Sequence, residues 1–376
     1  MKKRVLSILL CCVLVFSLVA CGSAKNETDA DKKAAEEVET KSEDDKSEDS
    51  KSEEQVCSLK VGMLGVDIKT ACIIVAKSLG YFEEENVDVT FEQVSDLAAG
   101  ITAVSEGKLD ILPYGSIPSM NFISQGTDLV VYGGTIAEGS EAIVKAENAD
   151  KYKTVEELKG KKIGCFRMET GHMVVKGLCR EAGMEFDKDV EFIYLESQAA
   201  IMEAVNKGEV DIGFVNSGYG YVCKQSGLEV AFRVGEWKED FPCCRQTTSR
   251  ESFDSKYDGL VNFETALLRA MYYIETDKEG TIDILSEYSG QDASYVENVI
   301  YGTDDYIAAM KISLSPDVDA VADFYELMKA NGDIDSETTY EIKDHLDDTI
   351  YGSALVKLID RGENTEFYET LKKEEK

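Results

Sequence analysis

Histidine is almost missing from this 376-residue chain: only His172 and His345 occur. Two isolated imidazoles exclude histidine-rich metal centres and sites that share several histidine bases. The patterns GxSxG, HExxH and GxxxxGK[ST] are absent too, and with them the usual signatures of serine hydrolases, zinc proteases and P-loop enzymes. Positive charge is also short. Forty Lys and Arg face 73 Asp and Glu, a formal charge of −33. No basic patch follows the opening Lys2-Lys3-Arg4, so nucleic acid is excluded as a partner. No CxxC pair occurs among the ten cysteines. Seven lie beyond residue 56, at 57, 72, 165, 179, 223, 243 and 244, an odd number without a disulfide framework. One or two bridges are compatible with that number, but the adjacent Cys243 and Cys244 rarely join because the peptide between them would be strained.

No apolar run reaches the roughly 20 residues of a membrane span. The longest, Val5 to Val19, follows three basic residues and reads as the core of a secretory leader. It ends at Leu18-Val-Ala-Cys21, which resembles the lipobox of bacterial lipoproteins. The resemblance implies cleavage after residue 20 and lipid attachment to Cys21. From Gly22 to Val56 there is no Leu, Ile, Phe, Tyr or Trp, and 13 acids stand against 6 lysines. Such a segment buries too little apolar surface to fold and is expected to be a solvated tether over 21–56. Subtracting the +3 leader and the −7 tether leaves about −29 on the body. That acidity favours solubility.

What the body does have is a repeat. Ala103-Val-Ser-Glu-Gly-Lys-Leu-Asp-Ile111 returns as Ala204-Val-Asn-Lys-Gly-Glu-Val-Asp-Ile212. Each copy follows a helix-like run, stops it at a glycine suited to a left-handed helix end, and enters a short apolar strand. A polar loop comes next, Tyr114-Gly-Ser116 in one copy and Asn216-Ser-Gly218 in the other. The wider order is strand, helix, strand, helix, strand in both halves, a grammar of parallel sheets flanked by helices. Strands are expected at 59–65, 87–91, 109–112, 128–132, 162–166 and 190–195. Beyond Pro242 the periodicity predicts helices at 261–276, 280–288, 293–300, 316–330 and 336–348. Two similar lobes would form a cleft, a common seat for a small ligand.

Ala76-Lys-Ser-Leu-Gly-Tyr-Phe82, Val104-Ser-Glu-Gly-Lys-Leu-Asp-Ile, Gly115-Ser-Ile-Pro118, Thr154-Val-Glu-Glu-Leu-Lys-Gly-Lys-Lys-Ile and Glu209-Val-Asp-Ile-Gly resemble the solute-binding proteins of sulfonate, taurine, nitrate and thiamine-precursor importers. The resemblance implies an α/β, two-lobed type 2 periplasmic-binding-protein fold. Each lobe would be a mainly parallel sheet flanked by helices, with hinges near Gly139–Val144 and Pro242–Thr247. Lobe one would comprise 58–141, lobe two 142–243, and 244–376 would complete lobe one. The implied function is capture of a small organic or anionic solute and its delivery to an ABC permease driven by an ATPase. The chain would be a lipid-anchored monomer on the extracytoplasmic face of the cell membrane, without cofactor or metal. Two other readings fit the same fold: an enzyme like the thiamine-pyrimidine synthases, and a sensor that reports ligand without transport.

In open parallel sheets ligands bind beyond the carboxyl ends of the strands, where helix N-termini offer free N–H groups to an anion. Four loops meet that description. They nominate Asp67, Lys69 and Thr70; Gly115 and Ser116; Glu169, Thr170 and His172; and Asn216, Ser217 and Tyr219. Arg245 is nominated for bidentate capture of a carboxylate, sulfonate or phosphate. Arg167, Tyr221 and the Cys243-Cys244 pair are weaker candidates. Cys165, Met168, His172 and Met173 crowd one loop and could bind a soft metal, although no second histidine supports it.

Overall fold

The computed structural model describes residues 56–167 and 169–374. The leader, Cys21, tether residues 22–55 and Met168 lie outside the described residues. Ten strands are described: β1 Cys57–Met63, β2 Val87–Gln93, β3 Leu129–Ala137, β4 Ser140–Lys145, β5 Lys161–Cys165, β6 Val190–Tyr194, β7 Ile212–Asn216, β8 Leu228–Arg233, β9 Pro242–Ser249 and β10 Lys311–Ile312.

They build two sheets. In the first lobe β2 and β1 run parallel, Val61 bridges Ile111 in the same sense, and Leu112 and Gly115 bridge Thr247 and Cys244 of β9. Antiparallel β3 and β10 complete it. In the second lobe the order is β6-β5-β7-β4-β8, with β6, β5 and β7 parallel and β4 antiparallel to both β7 and β8. Each lobe is therefore a parallel core with an antiparallel flank. β3 passes into β4 through only Glu138 and Gly139, where the chain leaves one sheet and enters the other.

The repeat has a visible structural task. Asp110 Oδ2 accepts from Lys60 N of β1 at 2.9 Å, and Asp211 Oδ2 accepts from Lys162 N of β5 at 2.9 Å. Each aspartate pins its returning chain to the strand beside it. Gly107 (φ 68°) and Gly208 (φ 75°) end the preceding helices in the left-handed region that glycine enters without strain.

Three segments depart from expectation. Residues 139–144, read as a hinge, are mostly strand β4 of the second sheet. Residues 242–247, the other expected hinge, are strand β9 of the first. The chain changes sheet at 138–139 and again over 234–241. Glu138 (φ 55°) and Asp240 (φ 56°) take left-handed backbone there, and Asp240 N donates to Glu138 Oε1 at 2.8 Å. Strand β9 is missing from the expected strands because Pro-Cys-Cys-Arg-Gln-Thr-Thr-Ser lacks apolar alternation, yet all eight residues are buried. Several of its polar groups are paired inside: Thr247 Oγ1 with Ser119 Oγ, and Gln246 Nε2 with Gly134 O and Glu264, whereas Gln246 Oε1 and Thr248 Oγ1 have no hydrogen-bond partner among the described residues.

The helix expected at 336–348 is an irregular segment with a short 3-10 turn, Ile342–His345. Asp335 Oδ1 accepts from Glu337 N, and Thr338 Oγ1 donates to Ser124 O, so local side-chain bonds displace the helical ladder. Helices form instead at Thr349–Arg361 and Thr365–Glu374.

One core packs β1 and β2 against helix Tyr257–Thr276, with Phe82 stacked on Phe263 at 5.0 Å. A second core joins Ile117 and Leu129 of the first lobe to Val144 and Val174 of the second, through Val321, Tyr325 and Met328 of helix Val318–Asn331. That helix lies against Thr170–Glu181, tied by Lys176 Nζ to Asp333 at 2.9 Å and by Arg180 to Asn331. The segment 244–376 therefore touches both lobes rather than completing only the first.

Candidate functional site

The loops after β1, β7 and residues 109–112, together with the start of helix Thr170–Glu181, face one another across the gap between the sheets. Two adjoining cavities of about 350 and 210 Å³ lie there and share Asp67, Lys69, Gln198 and Asn216. The larger is also lined by Asp96, Tyr114, Gly115, Phe166, Glu169 and Thr170, and by both Cys243 and Cys244. Ser217 and Tyr219 line the smaller, with Tyr295.

Eight nominated residues thus reach one space: Asp67, Lys69, Gly115, Glu169, Thr170, Asn216, Ser217 and Tyr219. Four do not. Thr70 is fully buried beside them. Ser116 Oγ donates to Cys243 O at 2.8 Å and lies behind the cavity wall. His172 is fully buried, with Nδ1 3.3 Å from Glu169 Oε2 and its ring edge-on to Tyr194. Arg245 is a strut: Nε donates to Pro316 O at 2.9 Å and Nη1 to Ile136 O at 3.1 Å, with only 1% of the residue exposed. Of the weaker candidates, Arg167 covers the Tyr194 ring, and Tyr221 packs edge-on against Tyr295 and Tyr306.

Sequence reasoning missed Gln198 and Asp96. Gln198 Oε1 accepts from Asn216 N at 2.8 Å and so props the loop after β7. Asp96 caps helix Leu97–Ser105 by accepting from Ala99 N at 2.8 Å. The signal was present in its position, directly before the first copy of the repeated helix.

The cavity's charges are coupled. Burial opposes the Lys69 ammonium, but Asp67 and the Cys244 and Cys243 thiols raise its pKa above the ordinary lysine value. Asp67 lies 3.4 Å away. The Cys243 and Cys244 sulfurs are 3.8 Å apart. The hydrogen bond from Cys244 lowers the Cys243 pKa, burial opposes this, and Lys69 assists it. The same hydrogen bond, with burial, pushes the Cys244 thiol up.

A larger groove, about 580 Å³, lies between helices Thr170–Glu181 and Val318–Asn331 and the 238–242 crossing. It contains none of the nominated residues and no loop from the ends of the parallel strands. Size alone does not make it the site.

The family described as NMT1/THI5 like matches residues 67–281, more than half of the chain. A protein of Escherichia coli (strain K12) named for binding aliphatic sulfonates is 30% identical over 132 residues, 35% of this chain and 40% of that protein. The chain thus aligns with less than half the length of that relative. The periplasmic aliphatic sulphonate binding protein SsuA of Escherichia coli is similar in structure, with a TM-score of 0.65 and 18% identity over 79% of this chain and 99% of the other. The periplasmic nitrate-binding protein NrtA of Synechocystis PCC 6803 is similar with a TM-score of 0.67 and 16% identity, covering 81% and 89%. The two lobes are those of a periplasmic-binding-protein fold.

Proposed function

The chain belongs to the NMT1/THI5-like family, and on that premise we propose that it is the solute-binding component of an ABC importer. One observation carries the reading: loops from opposite sheets, 65–70 and 216–219, line the same cavities. A solute held there touches both lobes at once. It adds contacts that an open form lacks and so shifts the equilibrium toward closure. The crossings at 138–139 and 234–241 are the hinges. The closed form is what the permease and its ATPase recognise. Lipid on Cys21 and the tether behind it hold a monomeric body at the extracytoplasmic face of the membrane.

The test is calorimetry with the solute that co-purifies with the body, identified by native mass spectrometry. Asn216→Ala removes a polar group from the shared wall of both cavities. Loss of one such hydrogen bond costs about 0.5–1.5 kcal/mol, so affinity should fall roughly several-fold to tenfold while the melting temperature holds. Unchanged affinity in this variant argues against the cleft.

A further inference from the structure

Successive side chains of a strand point to opposite faces of its sheet, so adjacent cysteines on β9 would ordinarily be kept apart. A bulge brings these two together. Cys244 pairs with Ile136 of β3 and Pro242 with Ala137, which leaves Cys243 as an extra residue without a partner on β3. Such a residue bends its strand and re-aims a side chain. The Cys243 and Cys244 sulfurs lie 3.8 Å apart, and both residues line the larger cavity.

The pair occupies the junction between the lobes. Both cysteines belong to a strand of the first sheet, but Cys243 Sγ is 3.9 Å from Gly139 O, in the crossing to the second. The Thr170 hydroxyl, at the head of a helix of the second lobe, lies beside the same sulfur. A Cβ on Gly139 would collide with that sulfur, so glycine is what admits it. Among the described residues no group of three or more His, Cys, Asp or Glu converges as a metal cradle, which leaves thiol chemistry to the pair.

The two thiols are uneven. The hydrogen bond from Cys244 and the Lys69 ammonium favour the Cys243 thiolate against burial, whereas Cys244 is pushed up. Burial also pushes up the thiols of Cys57, Cys72, Cys165, Cys179 and Cys223. Cys243 is thus the one activated thiol among the described cysteines, and a second thiol stands next to it to resolve whatever it forms.

We propose that Cys243 and Cys244 are a redox-active dithiol in the wall of the cleft, a modification site for small disulfides that enter through the cavity. The Cys243 thiolate attacks one sulfur of the small disulfide, forms a mixed disulfide and expels a thiolate, which takes up the proton that Cys243 lost. Cys244 then gives up its proton, attacks the Cys243 sulfur and expels the second thiol. Two protein thiols are oxidised to one disulfide, and one small disulfide is reduced to two thiols. Adjacent Cα atoms lie about 3.8 Å apart, closer than the roughly 4.4 Å at which disulfides usually begin. The bond is therefore strained, and strained disulfides are the labile ones, so a small thiol reverses the step. Closing the bond draws the Cys243 sulfur to about 2.05 Å from its neighbour and away from Gly139. Oxidation thus alters both the cavity wall and a contact between the lobes.

The experiment uses the purified chain, first reduced and freed of thiol, with hydroxyethyl disulfide as the probe. Trypsin releases both sulfurs in one peptide, Glu239–Arg245, which holds no other cysteine. After exposure of the folded chain, acid quench and alkylation, this peptide should have lost the mass of two hydrogens and carry no alkyl group. Dithiothreitol should restore both thiols, and Cys72, Cys165, Cys179 and Cys223 should stay reduced throughout. Cys244→Ser removes the resolving thiol, so Cys243 should accumulate the mixed disulfide. Cys243→Ser should leave Cys244 unmodified over the same time. Phenylarsine oxide gives a reading on the wild type that needs no variant. Its arsenic binds two sulfurs with release of one water, so it should load the same peptide and block the exchange. A wild-type peptide that keeps both thiols, or one that stops at the mixed disulfide, overturns the proposal. Equal reaction of the four buried cysteines also overturns it, because that pattern reports unfolding rather than a site.

Discussion

Asp110 and Asp211 stand at the same place in two copies of one sequence and make the same bond, but their surroundings differ. Asp110 is buried. Besides Lys60 N it accepts from Ser252 Oγ and from Lys256 Nζ at 2.7 Å. Asp211 is half-buried, and the bond from Lys162 N is its single side-chain bond among the described residues. The buried carboxylic acids contrast in the opposite sense. In the first lobe Glu264 has one donor, Gln246 Nε2, and burial pushes its pKa up to about 8. In the second, Glu141 accepts from Gly218 N, Gly220 N and Tyr306 Oη, with Arg233 at 3.5 Å. Burial still raises the Glu141 pKa against those partners. The repeated framework is common to both lobes, while the polar groups attached to it have diverged.

The largest effect that would sharpen this contrast concerns the two glutamates. Glu264 is protonated in the folded chain up to about pH 8, whereas the unfolded carboxyl ionises near 4.5. Between those values the unfolded state binds fewer protons, so stability falls as pH rises through that window. The full span amounts to on the order of 3–5 kcal/mol. Glu264→Gln should remove this loss and raise the melting temperature at pH 8.5 relative to wild type. Glu141→Gln should lower it across the range, because it weakens the acceptor of two buried N–H groups. Denaturant titrations at several pH values separate the two, and parallel behaviour would break the contrast.

Next come the paired aspartates. Asp110→Ala leaves Lys60 N and the Lys256 ammonium without their acceptor and should cost about 2–3 kcal/mol. Asp211→Ala removes one partly solvated bond and should cost about 1 kcal/mol. Equal losses would mean that the repeat, not its surroundings, sets the energy. The smallest effect belongs to the helix caps. Ser197 Oγ accepts from Ala200 N at 3.1 Å, the counterpart of Asp96 in the first copy. Ser197→Ala and Asp96→Ala should each destabilise by about 1 kcal/mol. Only Asp96→Ala should alter binding, since Asp96 lines the cavity and Ser197 does not.

Legibility in the sequence followed the same division. The repeat, the glycine stops and the parallel strands could be read because each is written in local apolar period and local turn chemistry. The loops at 65–70, 115–116, 168–172 and 216–219 are nominated from strand polarity and helix starts, which do not tell that Thr70, Ser116 and His172 lie outside the residues lining the cavities. Strand β9 could not be read, because its polar residues are buried by partners distant in the chain: Ser119, Gly134, Glu264 and Pro316. Arg245 misled for the same reason. An arginine that satisfies backbone carbonyls in a core looks, in sequence, like one waiting for an anion. The antiparallel flanks and the two-lobe contact of helix Val318–Asn331 depend on where the chain changes sheet, which no local pattern records.

The most direct test of the account is a crystal structure with the co-purified solute bound. The solute should lie between loops 65–70 and 216–219, in contact with Asn216 from one lobe and with Asp67 or Lys69 from the other. Solute in the 580 Å³ groove beside helix Val318–Asn331, with the space between those loops filled by solvent, would contradict it.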